Sequence, residues 1–127
     1  MIVALPLAET WPHIVGKIEA TINRLQVDCS ADELFNKCAE GDAFLYGNTE
    51  DDAFTIVEPI INSRTQEPEL FILLAWGMGM AQKNHTWIFH ELAQGLGAKR
   101  IRFQSPRRGF VKTGWTVEAY VYTQEVQ

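Results

Sequence analysis

Two carboxylates, Glu58 and Glu69, fall in stretches rich in β-branched and apolar residues, Phe54 to Glu58 and Glu69 to Trp76. A strand carboxylate can take a proton as a general base or can simply face solvent, and the residue type leaves both open. The histidines form no metal motif. His85 and His90 are five apart, which does not place them on one helix face, and His90-Glu91 does not extend to H-E-x-x-H because Gln94 stands at the second position. His13 is isolated. No serine lies in G-x-S-x-G, and Ser105, before Pro106, reads as a cap or turn residue. Cys29 and Cys38 are not spaced C-x-x-C and have no second pair, so neither a zinc site nor a disulfide is expected.

Charge is unevenly spread along the chain. Net charge is −5, yet Lys99, Arg100, Arg102, Arg107, Arg108 and Lys112 follow one another with no acidic residue between them. From Asp28 to Glu69 the balance is reversed, with Lys37 and Arg64 the only cations among eleven acids. The basic run is a solvated face, an anchor for a phosphate-bearing ligand or a patch for an acidic partner. The acidic total and the lack of basic–aromatic interleaving argue against nucleic acid as that partner.

Those residues need a scaffold, and the chain is long enough to supply one. Its 127 residues suit a single domain over 1–127, and 46% hydrophobic with 21% charged residues is a globular composition. The opening Met1 to Leu7 has no basic run and contains Pro6, so no signal peptide is expected. The longest apolar run, Leu70 to Met80, is too short to cross a bilayer. A soluble protein, cytoplasmic in the cell that makes it, is the expectation.

Periodicity orders the elements. Trp11, Ile14, Val15, Ile18, Ile22 and Leu25 form an apolar stripe, which predicts a helix from about Pro12 to Gln26 with Thr10 as its cap. Ser30-Ala-Asp-Glu33 is a capping box for a second helix, closed by Gly41. Strands are predicted at Ala43 to Tyr46, Phe54 to Glu58 and Glu69 to Trp76, with a bulge or an edge position at Pro59. The third strand is apolar enough to be covered on both faces. A helix from Asn84 or Thr86 to Leu96 ends at Gly97. A strand at Lys99 to Gln104, a short helix at Pro106 to Thr113 and a strand at Trp115 to Gln124 complete an α/β (α+β) fold. It has a mixed, largely antiparallel sheet with helices on both faces.

The order from Leu70 onward, and the ending Ala98-Lys-Arg-Ile-Arg-Phe…Gly114-Trp115 to Tyr122, resemble the GNAT N-acetyltransferase superfamily. The resemblance implies acetyl-CoA as the cofactor, or none. It places cofactor contacts on the bulged strand and its following turn, at Trp76, Gly77, Met78 and Gly79. In these enzymes a Gln/Arg-x-x-Gly-x-Gly/Ala loop presents backbone N–H groups and a helix N-terminus to the CoA pyrophosphate. The matching stretch here starts at Gln82 but carries His85 and Trp87 where small residues belong. Arg107 and Arg108 would border the same cleft. Glu58 and Glu69 would be the general bases. The acid that protonates the leaving thiolate is a Tyr four residues before the Gly-aromatic pair, and here that position is Phe110, which has no proton to give. Tyr120 or Tyr122 would have to replace it, or else pack on a helix.

Read together, these departures favour a catalytically degenerate GNAT-like protein acting through protein–protein contacts, with a protein partner or as a homo-oligomer. The resemblance extends loosely to acetyltransferase-like virion or virion-assembly proteins of tailed bacteriophages, which would add the virion as a location. An active acyl-CoA-dependent N-acetyltransferase is the alternative. No membrane role is expected.

Overall fold

A computed structural model describes residues 2–25, 29–48, 52–77 and 83–103, with Leu25 and residues 83–88 described as backbone only. The order is β1 (Ile2–Ala4), α1 (Leu7–Leu25), α2 (Ala31–Ala39), β2 (Phe44–Asn48), β3 (Phe54–Ile61), β4 (Pro68–Trp76), α3 (Lys83–Gly95) and β5 (Arg100–Phe103). Strands β1 to β4 form an antiparallel meander in sequence order, and β5 joins β4 in parallel through the α3 crossover. This is the mixed, largely antiparallel sheet that the sequence predicts.

The sheet is sandwiched between helices. Ile14 and Ile18 of α1 and Leu34 of α2 are buried against Leu45, Ile56 and Leu74 on one face. Phe89, Leu92 and Ala93 of α3 are buried against Val57, Leu70 and Ile72 on the other. Leu70, Ile72 and Leu74 of β4 are all buried, as a strand covered on both faces requires.

Local chemistry sets the helix ends. The Ser30 Oγ accepts from the Glu33 N–H at 3.1 Å, as the capping box predicts. Ser30→Ala should therefore destabilise the protein by about 1 kcal/mol, read from the midpoint of urea unfolding. Helix α2 ends with Gly41 at φ +82°, its N–H donating to Cys38 O and that of Asp42 to Lys37 O. Helix α3 ends the same way, with Gly97 at φ +72° donating to Gln94 O and Ala98 to Ala93 O. Both are Schellman motifs, which need a left-handed residue at the glycine.

Three expectations are corrected. Strand β1 is additional. Helix α1 begins at Leu7, with the Thr10 N–H already donating to Pro6 O, so Thr10 lies in the first turn and Pro12 inside the helix. The bulge lies on β4, because the pairing steps from Ile56↔Leu74 to Val57↔Ile72 and leaves Leu73 without a partner across the ladder. The Thr55 hydroxyl donates to the Leu74 carbonyl beside this irregularity, at 2.8 Å. Pro59 is in regular register with Leu70, but the last β2 partner is at Val57, so among the described residues β3 has only β4 as neighbour there. The edge half of that expectation holds.

Candidate functional site

Strand β4 carries candidate residues at both ends, with the Leu73 bulge between them. At its C-terminal end Trp76 stacks on Phe54 with centroids 5.9 Å apart, and the Lys17 Nζ lies 4.3 Å from the Trp76 ring centroid. That contact is a cation–π pair joining α1 to the strand end. Gly77 then turns the chain at φ +72°, where a Cβ would lie 3.4 Å from the Ala53 Cα. A left-handed residue in contact with a neighbouring strand end favours glycine. Met78, Gly79 and Gln82 lie outside the described residues. Helix α3 opens at Lys83, which puts the His85 backbone in its first turn and that of Trp87 in the next.

At the N-terminal end of β4 the two candidate bases occupy one face of the sheet. Glu58 is opposite Phe71 and Glu69 opposite Ile60, so the two carboxylates are diagonal neighbours with Cα atoms roughly 7–8 Å apart. Each is held by cations. Lys37 of α2 donates to the Glu58 Oε2 at 2.8 Å, and this hydrogen bond raises the Lys37 pKa above its usual value. Glu69 is almost fully buried and accepts from the Nε of Arg102 and, at 3.1 Å, from the Asn62 Nδ2, while the Arg100 Nη1 forms a looser ion pair 4.0 Å away. The Arg102 hydrogen bond is the main cause that holds Glu69 below the usual carboxylate range, against burial, which pushes it up.

The sequence did not expose this arrangement. Asn62 is a turn residue whose Oδ1 accepts from the Arg64 and Thr65 N–H groups while its amide reaches Glu69. The result is a row of ion pairs running from α2 across β3 and β4 to β5. Its chemistry is structural first: Glu58 is tied to Lys37, and Glu69, a carboxylate of lowered pKa with its lone pairs engaged, is a weak proton acceptor. Seven residue steps of strand separate Glu69 from Trp76, roughly 20–24 Å along β4. The structure therefore brings Glu58 and Glu69 together and sets both apart from Trp76 and Gly77.

A hollow of about 230 Å³ lies near the Trp76 end, between α1 and the adjoining ends of β2 and β3. Leu5, Ile14 and Phe54 form its apolar side, and Thr10, His13 and Asp52 contribute polar groups. The sequence leaves His13 isolated and puts Asp52 in no motif. Nothing local signals their convergence, which depends on α1 crossing the start of β3.

Other groups do little here. Burial pushes the Cys38 thiol up, which keeps it protonated and unreactive. Among the described residues no group of three His, Cys, Asp or Glu could hold a metal, and no helix is long and apolar enough to cross a membrane. Arg107, Arg108, Phe110 and Tyr120 lie outside the described residues.

The sequence matches no family model, and no similar sequence is found among curated proteins. Solved structures, in contrast, match over the whole chain. The ribosomal-protein-alanine N-acetyltransferase of Brucella melitensis biovar Abortus 2308 has a TM-score of 0.66 at 12% identity, with 99% of each chain covered. A GNAT family acetyltransferase of Staphylococcus aureus has a TM-score of 0.62 at 11% identity, covering 99% of this chain and 98% of that one. An aminoglycoside acetyltransferase from an uncultured soil metagenomic sample, solved with trehalose, has a TM-score of 0.61 at 10% identity, covering 100% of this chain and 95% of that one. Meander, crossover helix and parallel fifth strand together give this chain the GNAT acetyltransferase fold.

Proposed function

We propose that this chain is a GNAT-fold protein without acyl-transfer activity that works through protein–protein contacts, as a homo-oligomer or bound to another protein. The observation that carries this reading is the pair of ring-bearing residues, His85 and Trp87, at the start of α3. A helix start binds a diphosphate through exposed N–H groups, and that requires close approach of the backbone. The sequence carries two large residues where that approach calls for small ones.

Further support comes from the residues that would do the chemistry. Phe110 stands where a tyrosine would protonate the thiolate. Glu58 and Glu69, the candidate bases, are engaged in ion pairs. Four tryptophans and the segregated charges suit a binding surface, since aromatic residues and Arg dominate interface energetics. The setting we propose is assembly of a tailed-phage virion, with the protein made in the host cytoplasm.

The second reading, an acetyl-CoA-dependent N-acetyltransferase, is favoured by the Leu73 bulge on β4 beside the parallel β5. Trp76 to Gly79 and Gln82 would then hold the cofactor, with Arg107 and Arg108 at its phosphates. Glu58 or Glu69 would be the base and Tyr120 the acid. Light scattering combined with an amine-acetylation assay separates the readings. A defined oligomer or partner complex with no acetyl transfer is the expected result. A strict monomer that consumes acetyl-CoA would overturn the proposal.

A further inference from the structure

Strand β3 outruns its neighbour β2. The last β2 partner is at Val57, opposite Phe44, while β3 pairs with β4 as far as Ile61. The turn beyond fixes where the free backbone groups point. The Asn62 N–H donates to the Glu67 carbonyl, so Asn62 faces β4. Successive residues of an antiparallel strand face alternate neighbours, so Ile60 and Glu58 also face β4, and Pro59 and Ile61 face away from it. The open edge therefore offers a carbonyl at Pro59, which has no N–H, and both backbone groups at Ile61.

Side chains at this corner are apolar on one face. Phe44 and Val57 are directly opposite, and Pro59 and Ile61 follow Val57 at two-residue steps, so they share the α3 side of the sheet. Phe44 is 38% and Ile61 61% exposed, and Pro59 is exposed between them. Charges flank the corner. The Arg64 side chain is exposed in the turn after β3, with no ion pair among the described residues. Asp42 is exposed in the connection before β2. It lies near Lys37, whose pKa is raised first by the Glu58 hydrogen bond and in smaller part by Asp42, so it stands beside the same edge.

We infer that the open edge of β3 pairs with the same edge of a second copy of this chain, antiparallel about a twofold axis at Ile60. The edge is self-complementary in that arrangement. The Ile61 N–H of each copy donates to the Pro59 carbonyl of the other, so the N–H that proline lacks still leaves one backbone hydrogen bond on each side of the axis. Phe44, Pro59 and Ile61 of the two copies meet on one face, where their apolar surface is covered. Strand β3 of one copy ends where β2 of the other begins, which brings each Arg64 turn beside the other copy's Asp42. Donors, acceptors and charges thus match a second copy. The inference rests on the protein-contact reading and names the partner. A few residues of strand make a small interface, so the dimer is weak and reversible.

The test is sedimentation equilibrium of the full chain from about 10 μM to about 1 mM, with a dissociation constant on the order of 100 μM expected. Ile61→Lys, a change at an exposed residue, sets like charges against each other and should leave a folded monomer over that range. Arg64→Asp should weaken the dimer about fivefold, and combining it with Asp42→Arg should restore the affinity. The Ile61 amide should exchange with deuterium more slowly as protein concentration rises. A monomer at every concentration, a dimer unchanged by Ile61→Lys, or a double reversal no tighter than Arg64→Asp would overturn the inference. A dimer unchanged by Ile61→Lys forms through another surface, so it leaves the protein-contact reading intact. Acetyl-CoA turnover by a monomer would instead remove that reading.

Discussion

Arg102→Ala is expected to destabilise the protein by about 3–5 kcal/mol, because it leaves Glu69 buried without its main cation. The loss arises from the stranded charge more than from the missing attraction. Asn62 and the more distant Arg100 offset part of it, which favours the lower end of that range. Replacing both partners, as in Glu69→Leu with Arg102→Leu, should cost much less than the single change. The penalty should also depend on pH. Glu69 has a folded pKa below its unfolded value, so in the native protein its contribution is complete above the unfolded carboxylate pKa. It is lost as pH falls through the folded value. Without Arg102, burial pushes the same carboxyl up, and the variant becomes relatively more stable in acid. Urea titrations of both proteins at neutral and acid pH measure the gap, which should shrink on acidification. A gap that stays constant would mean that Glu69 is not the group responsible.

The second large effect belongs to the opposite face. Phe89 is fully buried and joins α3 to the cluster containing Val57, Leu70 and Ile72. Phe89→Ala removes its packing and leaves a cavity that a helix against a sheet cannot fully close, at a cost of about 3–5 kcal/mol. Phe89→Leu keeps most of the volume and should cost under about 1.5 kcal/mol. The comparison also bears on the site, since α3 carries the residues at positions 85 and 87 that define the proposed function. Equal losses for the two variants in chemical unfolding would show that the ring's shape, rather than its volume, fixes α3 on the sheet.

The sequence made local features readable where a residue's role depended on close neighbours. The Ser30–Glu33 cap and the glycines at 41 and 97 were legible because a helix end is specified within a few residues. The apolar content of Glu69 to Trp76 was enough to identify a central strand. Strand β1 was not, because three residues carry no usable period. Nor was the start of α1, where Pro12 imitates a first-turn proline one turn too late. The resemblance implied a bulged strand here, but the position of the bulge at Leu73 escaped because an extra residue inside a continuous apolar run leaves no mark in composition. The candidate site was less legible than the fold. Glu69 and Arg102 are 33 residues apart and Lys37 and Glu58 are 21 apart, so those partnerships exist only after the sheet has formed. Carboxylates that suggest a base in one dimension are members of an ion-pair row in three. His13 and Asp52 acquire a shared hollow for the same reason.

The proposed function requires that a coenzyme cannot seat its diphosphate at the start of α3. Isothermal calorimetry of the purified protein with acetyl-CoA addresses it directly. No heat of binding, and no shift in melting temperature, at millimolar ligand is the predicted result. Saturable heat at micromolar concentrations would contradict the claim and restore acyl transfer as the leading function.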